Sequence, residues 1–130
     1  MKKLIALCSM VFVLISCGKT KNTDDIPVPG QAGTELSETE KQLALGKEVF
    51  NGKGTCYSCH LPEKKVIGPS IKEIAEIYRN QNGDMKAFLL EKAEPIVDPA
   101  QYVTMKTNFS VTKNLPENEL EAVIAYMQSF

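Results

Sequence analysis

Two cysteines and the only histidine of the chain stand together in the segment Cys-Tyr-Ser-Cys-His, which spans residues 56–60. A pair of thiols with two residues between them can bind a metal, exchange disulfides or add to an unsaturated carbon, and an adjacent imidazole can ligate iron or zinc. The other two cysteines, Cys8 and Cys17, lie near the beginning of the chain. We therefore expect the chemistry of the protein at Cys56, Cys59 and His60.

The pattern Cys-x-x-Cys-His is the attachment motif of c-type haem. Each thiol adds across one vinyl group, and the spacing lets Cys56 and Cys59 reach the same edge of the porphyrin while His60 ligates iron. Three other interpretations use the same residues. A thioredoxin-like redox pair needs a βαβ setting that the sequence lacks, and a zinc site needs two further ligands. A disulfide would close too short a loop to stabilise the fold much. The sequence therefore predicts one covalent haem c.

The first 16 residues are typical of a bacterial secretory signal peptide, because two lysines precede an apolar run over residues 4–15 and a small residue precedes Cys17. As a helix that run is only about 18 Å long, too short for a hydrocarbon core of about 30 Å. The tetrapeptide Leu-Ile-Ser-Cys over residues 14–17 resembles the lipobox of bacterial lipoproteins; the alternative is an ordinary signal peptide that contains a cysteine. We predict a signal peptide over 1–16, which removes Cys8, and lipidation of Cys17. The protein would then be exported and anchored to the membrane on its periplasmic side.

Residues 17–36 and 37–130 differ in composition. The first segment is rich in Lys, Thr, Asn, Asp, Pro and Gly without periodic apolar residues, which is typical of a flexible tether. The second has 94 residues, enough for one small domain. Loss of the signal peptide would leave 13 basic and 16 acidic residues, a net charge of −3, which gives no field suited to nucleic acid.

Hydrophobic periodicity predicts an all-α domain of about four helices. Ser37 and Glu40 fit a capping box that starts the first helix. Within that helix, Gly46 either marks a close crossing with another helix or is incidental. Helices are expected over 70–79 and over 85–92, the latter with Asp84 as its N-cap. The last begins with Pro116 in its first turn. Residues 94–115 are expected to be irregular, and so long a stretch suggests a function.

From about residue 36 to residue 130 the chain resembles the class I monohaem cytochromes c, above all the short bacterial cytochrome c551/c552 type. Gly46 and Phe50 before the motif, with Val123 and Tyr126 near the end, match the packing of the family's first helix on its last. Gly68-Pro69 resembles the loop whose proline carbonyl accepts a hydrogen bond from the ligating histidine. The chain departs from the family in having no tryptophan and in starting the last helix with proline, and neither feature touches the iron.

The resemblance implies a carrier of single electrons, with His60 and a methionine as axial ligands of the iron. Met127 belongs to the apolar stripe of the last helix, and Met85 follows His60 by only 25 residues. Met105 lies in the stretch expected to be irregular, ahead of the last helix as the family pattern requires. We predict Met105 as the sixth ligand, with Asn108 donating a hydrogen bond to its sulfur.

An iron with two protein ligands is closed to substrate, which favours an electron carrier over an enzyme. The expected partners are redox proteins, such as membrane reductase or oxidase complexes, in transient contact and with no small-molecule substrate. Five lysines either surround the haem edge or are simply solvated: Lys53, Lys64, Lys65, Lys106 and Lys113. Two alternatives stay open: a gas-binding or sensor domain with an open sixth position, and a thiol-disulfide oxidoreductase that uses the cysteine pair.

Overall fold

The structure, a computed structural model, describes residues 35–130. The predicted signal peptide, Cys17 and the predicted tether up to residue 34 lie outside the described residues. The described part contains six α-helices and no strand: α1 (Glu38–Asn51), α2 (Ile71–Gln81), α3 (Met85–Leu89), α4 (Tyr102–Lys106), α5 (Phe109–Thr112) and α6 (Glu117–Gln128). Within these bounds, no helix is long and apolar enough to cross a membrane. The all-α class predicted from the sequence is confirmed.

Local capping signals set the starts of the first three helices. The Ser37 hydroxyl accepts a hydrogen bond from the Glu40 amide at 3.2 Å, and the Glu40 carboxylate accepts one from the Ser37 amide at 2.8 Å, which is the predicted capping box. Ser70 and Asp84 cap α2 and α3 through amides three residues on, at 3.2 and 2.8 Å. α2 runs two residues further than predicted. α3 ends three residues earlier, because Glu91 has a φ of 59°, outside the helical range.

The expectation of an irregular stretch over residues 94–115 is wrong, because this segment contains α4 and α5 after a 3₁₀ turn at Pro99–Gln101. The rings of Tyr102 and Phe109 pack against Phe88 of α3, with centroids 6.2 and 5.3 Å away, and against each other at 6.0 Å. Helices of four or five residues are marginal by themselves and depend on such tertiary packing. They are also too short for hydrophobic periodicity to show in the sequence.

α1 packs on α6 at Gly46. A Cβ at Gly46 would collide with the carbonyl of Ala122 and lie 2.7 Å from the Cβ of Tyr126, so only glycine permits this approach. Phe50 packs edge-on against Tyr126, with ring centroids 5.5 Å apart. The close crossing at Gly46 is confirmed. α6 begins one residue later than predicted, because Pro116 has an extended ψ of 146° and is the N-cap rather than part of the first turn.

The core lies between α1, α2, α3 and α6. Its buried residues are Val49, Phe50, Ile71, Ile74, Tyr78, Met85, Leu89, Leu120, Val123 and Met127. On one side this core borders a cavity, which is lined by five of its members: Ile74, Tyr78, Met85, Leu89 and Met127. A group bound in the cavity would therefore pack directly against the core and form part of the interior of the domain.

Candidate haem-binding site

A cavity of about 230 Å³ lies between the segments 55–69 and 95–108, against the core. Most of its wall is apolar, and Cys56, Cys59, His60 and Met105 all line it. Two thiols, one imidazole and one thioether on an apolar wall are the groups that a covalently attached, buried porphyrin requires. The residues present therefore fit haem c.

A tight turn presents the two cysteines and the histidine. Thr55 has a left-handed φ of 54°, and Cys56–Ser58 form a 3₁₀ turn. The amides of Cys59 and His60 both donate to the carbonyl of Cys56, at 3.1 and 2.9 Å. The backbone of the motif is thus fixed by hydrogen bonds within five residues, so the three reactive side chains come from one rigid turn.

Cys56 and Cys59 form no disulfide with each other, and the environment of Cys56 differs from that of a redox cysteine. Burial raises the pKa of the Cys56 thiol to about 11. Oxidoreductases instead lower the pKa of the attacking cysteine, because the thiolate is the nucleophile. A raised pKa is the opposite of what thiol-disulfide exchange needs, so Cys56 lacks the environment of an attacking redox cysteine.

His60 is oriented by a hydrogen bond of 2.7 Å between its Nδ1 and the carbonyl of Pro69. A carbonyl oxygen can only accept, so Nδ1 carries the proton and the lone pair of Nε2 is left for a metal. This is the hydrogen bond that the resemblance implies for Pro69. Gly68 lies directly against the imidazole, since a Cβ there would be 2.8 Å from Nδ1.

The loop that carries Pro69 is itself held by backbone bonds. His60 and Lys65 form an isolated β-bridge, and the Gly68 amide donates to the Cys59 carbonyl at 2.9 Å. The start of α2, which follows Pro69, is fixed to the same loop, because the amide of Ile71 donates to the carbonyl of Leu61 at 3.0 Å. The acceptor of the imidazole proton therefore stands on a rigid loop, which the sequence motif alone did not reveal.

α4 brings Met105 to the same cavity as His60. Met85 and Met127 also line this cavity, but they are packed in the core, with 3% and 7% of their surface exposed. Met105 is half-buried at the edge of that core. This placement agrees with Met105 as the methionine available to iron, and its ligation stays a prediction.

The side chain of Asn108 connects the Met105 segment to the loop before the motif. Its amide donates to the carbonyl of Gly54 at 3.3 Å, and its oxygen accepts from the Thr55 hydroxyl at 3.2 Å. Its backbone amide donates to the carbonyl of Met105 at 2.9 Å. The sequence did not indicate this connection, and the predicted hydrogen bond from Asn108 to the Met105 sulfur stays a prediction.

Four of the five lysines considered as a positive surface pair with carboxylates of the same chain. The shortest Nζ to carboxylate distances are Lys53–Glu119 2.6 Å, Lys65–Asp98 3.3 Å, Lys106–Glu91 3.0 Å and Lys113–Glu91 2.7 Å. Glu91 pairs with two of these lysines, so three carboxylates balance part of the positive charge expected around the haem edge.

The surface beside the motif is instead apolar. Of the six exposed large apolar side chains in residues 35–130, four lie within residues 57–67, and we name them the haem-loop patch: Tyr57, Leu61, Val66 and Ile67. Ile67 also lines the cavity, so one member of the patch reaches the haem site. Exposed apolar side chains gathered in this way are typical of an interaction surface.

An all-α fold whose cavity is lined by a Cys-x-x-Cys-His motif defines a c-type haem protein. The family model described as Cytochrome c matches residues 43–130, and the chain belongs to that family. A comparison with curated proteins gives no match to this chain. The protein therefore binds haem c covalently at Cys56 and Cys59, and the family indicates an electron carrier that acts through this haem. The resemblance to the class I monohaem cytochromes c is confirmed.

Proposed function

We propose that the protein carries single electrons between redox complexes while a lipid on Cys17 holds it to the outer side of the bacterial cytoplasmic membrane. The observation that carries the electron-transfer part is the bond from His60 Nδ1 to Pro69, because it leaves Nε2 available in a cavity that Met105 also lines. The haem supplies the one-electron couple of its iron. His60 and Met105 are the residues that would ligate the iron, and with both bound no position would remain for a substrate.

The wall of the cavity tunes this couple. Ile74, Leu89 and Met127 line it with apolar surface. A wall of low polarity disfavours the more highly charged ferric state, so burial raises the reduction potential. The fixed tautomer of His60 acts in the opposite direction, because the hydrogen bond makes the imidazole a stronger donor.

The haem-loop patch is the proposed docking surface, and the proposed occupant is a redox protein with a largely uncharged docking face. Two observations support this partner: the patch is apolar, and Lys65, which lies within the same segment, pairs with Asp98 of the same chain. Among the described residues, Lys64 is the one lysine of the five that makes no ion pair, so an acidic partner would find a single unpaired cation in the segment that carries the patch. Contacts of electron-transfer proteins are small, below about 1,200 Å² in total, and they dissociate quickly.

The lipid anchor is supported by the Leu-Ile-Ser-Cys tetrapeptide before the polar segment 17–36. Each methylene of an acyl chain inserted in the bilayer contributes about 0.8 kcal/mol, and two or more chains give stable anchoring. A tether of that length, which the composition of the segment predicts, would span about 25 Å on average by the scaling for Gly-rich chains. The domain would remain near the membrane yet reach more than one partner.

The ligation is tested with three matched variants of the holoprotein, Met105→Leu, Met85→Leu and Met127→Leu. Met105→Leu should abolish the weak sulfur-to-iron charge-transfer band of the ferric protein, lower the reduction potential and let the ferrous protein bind carbon monoxide promptly. The other two variants should retain the band. Retention of the band in Met105→Leu would contradict the assignment, and prompt carbon monoxide binding by the wild type would support the gas-binding alternative.

A further inference from the structure

α3 ends in a turn that normally contains glycine. The amide of Glu91 donates to the Phe88 carbonyl at 2.9 Å and that of Lys92 to the Ala87 carbonyl at 2.8 Å, which is a Schellman motif with Glu91 in the left-handed position. Glycine or asparagine is usual there, because a larger side chain strains this conformation. α2 ends with the same bond pattern and uses Asn82, with a φ of 49°. The presence of a glutamate at this left-handed position therefore requires an explanation.

The carboxylate of Glu91 joins the end of α3 to both short helices. It lies 3.0 Å from Nζ of Lys106, the last residue of α4, and 2.7 Å from Nζ of Lys113, the residue after α5. Its hydrogen bonds with Lys113 and Lys106 lower the pKa of Glu91 below its ordinary value, which keeps the carboxylate charged. Glycine or asparagine could not supply that charge, so the strained turn and the two ion pairs belong to one arrangement.

α4 has few other contacts that could hold it in place. It contains only five residues, and its N-cap, Gln101, makes no capping hydrogen bond with its side chain. Tyr102 and Met105 are half-buried, and the other three residues are exposed. A helix this short is held by its tertiary contacts. Those contacts are the aromatic packing of Tyr102, the ion pair of Lys106 and, three residues after Met105, the side-chain hydrogen bonds of Asn108. Of these, the ion pair is the contact made by the C-terminal end of α4 itself.

We propose that Glu91 is a positioning residue for the sixth ligand: its carboxylate holds Lys106, and through it the helix α4, so that Met105 remains on the iron. The inference rests on the proposed ligation by Met105. It assigns a role to a residue outside the cavity, and it explains why α3 ends with a strained glutamate.

The variant Glu91→Gly distinguishes the positioning role of Glu91 from a contribution to the stability of the fold. Glycine relaxes the left-handed turn and keeps its backbone hydrogen bonds, so the thermal midpoint of the holoprotein should stay the same or rise. Loss of the ion pair should release Met105 more often. The rate of carbon monoxide binding to the ferrous holoprotein should rise about threefold to fivefold, the range expected for a partly exposed ion pair. Hydrogen exchange of the α4 amides should accelerate in parallel.

Three further variants serve as controls. Asn82→Gly places glycine in the equivalent turn of α2 and should leave the carbon monoxide rate unchanged. Lys106→Met should reproduce the faster binding, whereas Lys106→Arg keeps the charge and should retain the wild-type rate. An unchanged rate in Glu91→Gly, with the sulfur-to-iron band present in the wild type, overturns the positioning role alone. Absence of that band from the wild type overturns both this role and the proposed ligation.

Discussion

The side-chain amide of Asn108 donates a hydrogen bond to the carbonyl of Gly54, a residue 54 positions earlier in the chain. Gly54 precedes the cysteine motif, and Asn108 follows Met105 by three residues. The two sides of the haem cavity are therefore joined by the protein itself. This bond keeps the attachment turn and the Met105 segment in a fixed relation that does not depend on the iron.

Replacement of Asn108 with alanine should loosen that relation. The variant leaves the Gly54 carbonyl and the Thr55 hydroxyl without their partner, and loss of such a hydrogen bond lowers the free energy of unfolding by about 1 kcal/mol. During denaturation the sulfur-to-iron band should disappear before the helical circular dichroism does. Asn114→Ala is the matched control, because the Asn114 amide bonds only to Ser110, one turn earlier. Coincident loss of the two signals in Asn108→Ala would contradict this role.

Gly68→Ala should disturb the iron through His60. The new methyl group would lie 2.8 Å from Nδ1, so the ring must move and its bond to Pro69 must lengthen. A weaker donor imidazole stabilises ferric iron less, so voltammetry should show a higher reduction potential. Gly52→Ala is a control with a milder steric conflict, since its Cβ would lie 2.9 Å from the Glu48 carbonyl oxygen and would not contact the imidazole. Equal shifts of potential in the two variants would show that general strain is the cause.

Cys17→Ala should release the protein from the membrane fraction, because no acyl chain can then be attached. The measurement is fractionation of cells that express the full chain, with the haem absorbance as the marker. Cys8→Ala is the control, since that residue lies within the predicted signal peptide and should not affect anchoring. Fully soluble wild-type protein after lysis would exclude the anchor.

An apolar docking surface predicts electron exchange that is insensitive to salt, since screening weakens only charged contacts. The holoprotein should exchange electrons faster at an electrode coated with methyl-terminated chains than at one coated with carboxylates. This difference should be the same at every salt concentration from 10 mM to 500 mM. Val66→Glu should slow this exchange about tenfold, whereas Leu36→Glu, an exposed apolar position outside the haem-loop patch, should not. A preference for the carboxylate surface that disappears with salt would instead indicate an acidic partner. Vesicle binding or self-association abolished by Val66→Glu would assign the patch to lipid or to a second copy.

The elements that the sequence predicted well have local signals. Ser37, Ser70 and Asp84 are N-caps whose hydrogen bonds lie within three residues, so their helices start where the sequence places them. α4 and α5 have no such signal, because the packing of Tyr102 and Phe109 on Phe88 stabilises them. Propensity rules cannot detect contacts of that kind.

The residues of the candidate site also differ in whether the sequence alone could predict them. The covalent motif is contiguous, and its chemistry follows from the spacing of two thiols and an imidazole. Pro69 could be indicated only by resemblance, since a carbonyl acceptor carries no signature in its side chain. The bonds of Asn108 to Gly54 and of Glu91 to Lys106 join distant segments, so they are visible only once the chain is folded.

The crossing of α1 and α6 at Gly46 has a consequence for the order of folding. Gly46 and Ala122 are 76 positions apart, so α1 emerges during synthesis long before the helix that covers it. Contacts at such separation form late, because a long loop must close first. The turn that carries Cys56 and Cys59 lies between the two helices and is made before the crossing can form. The two ends of the domain are thus the last parts to close around the segment that carries Cys56 and Cys59.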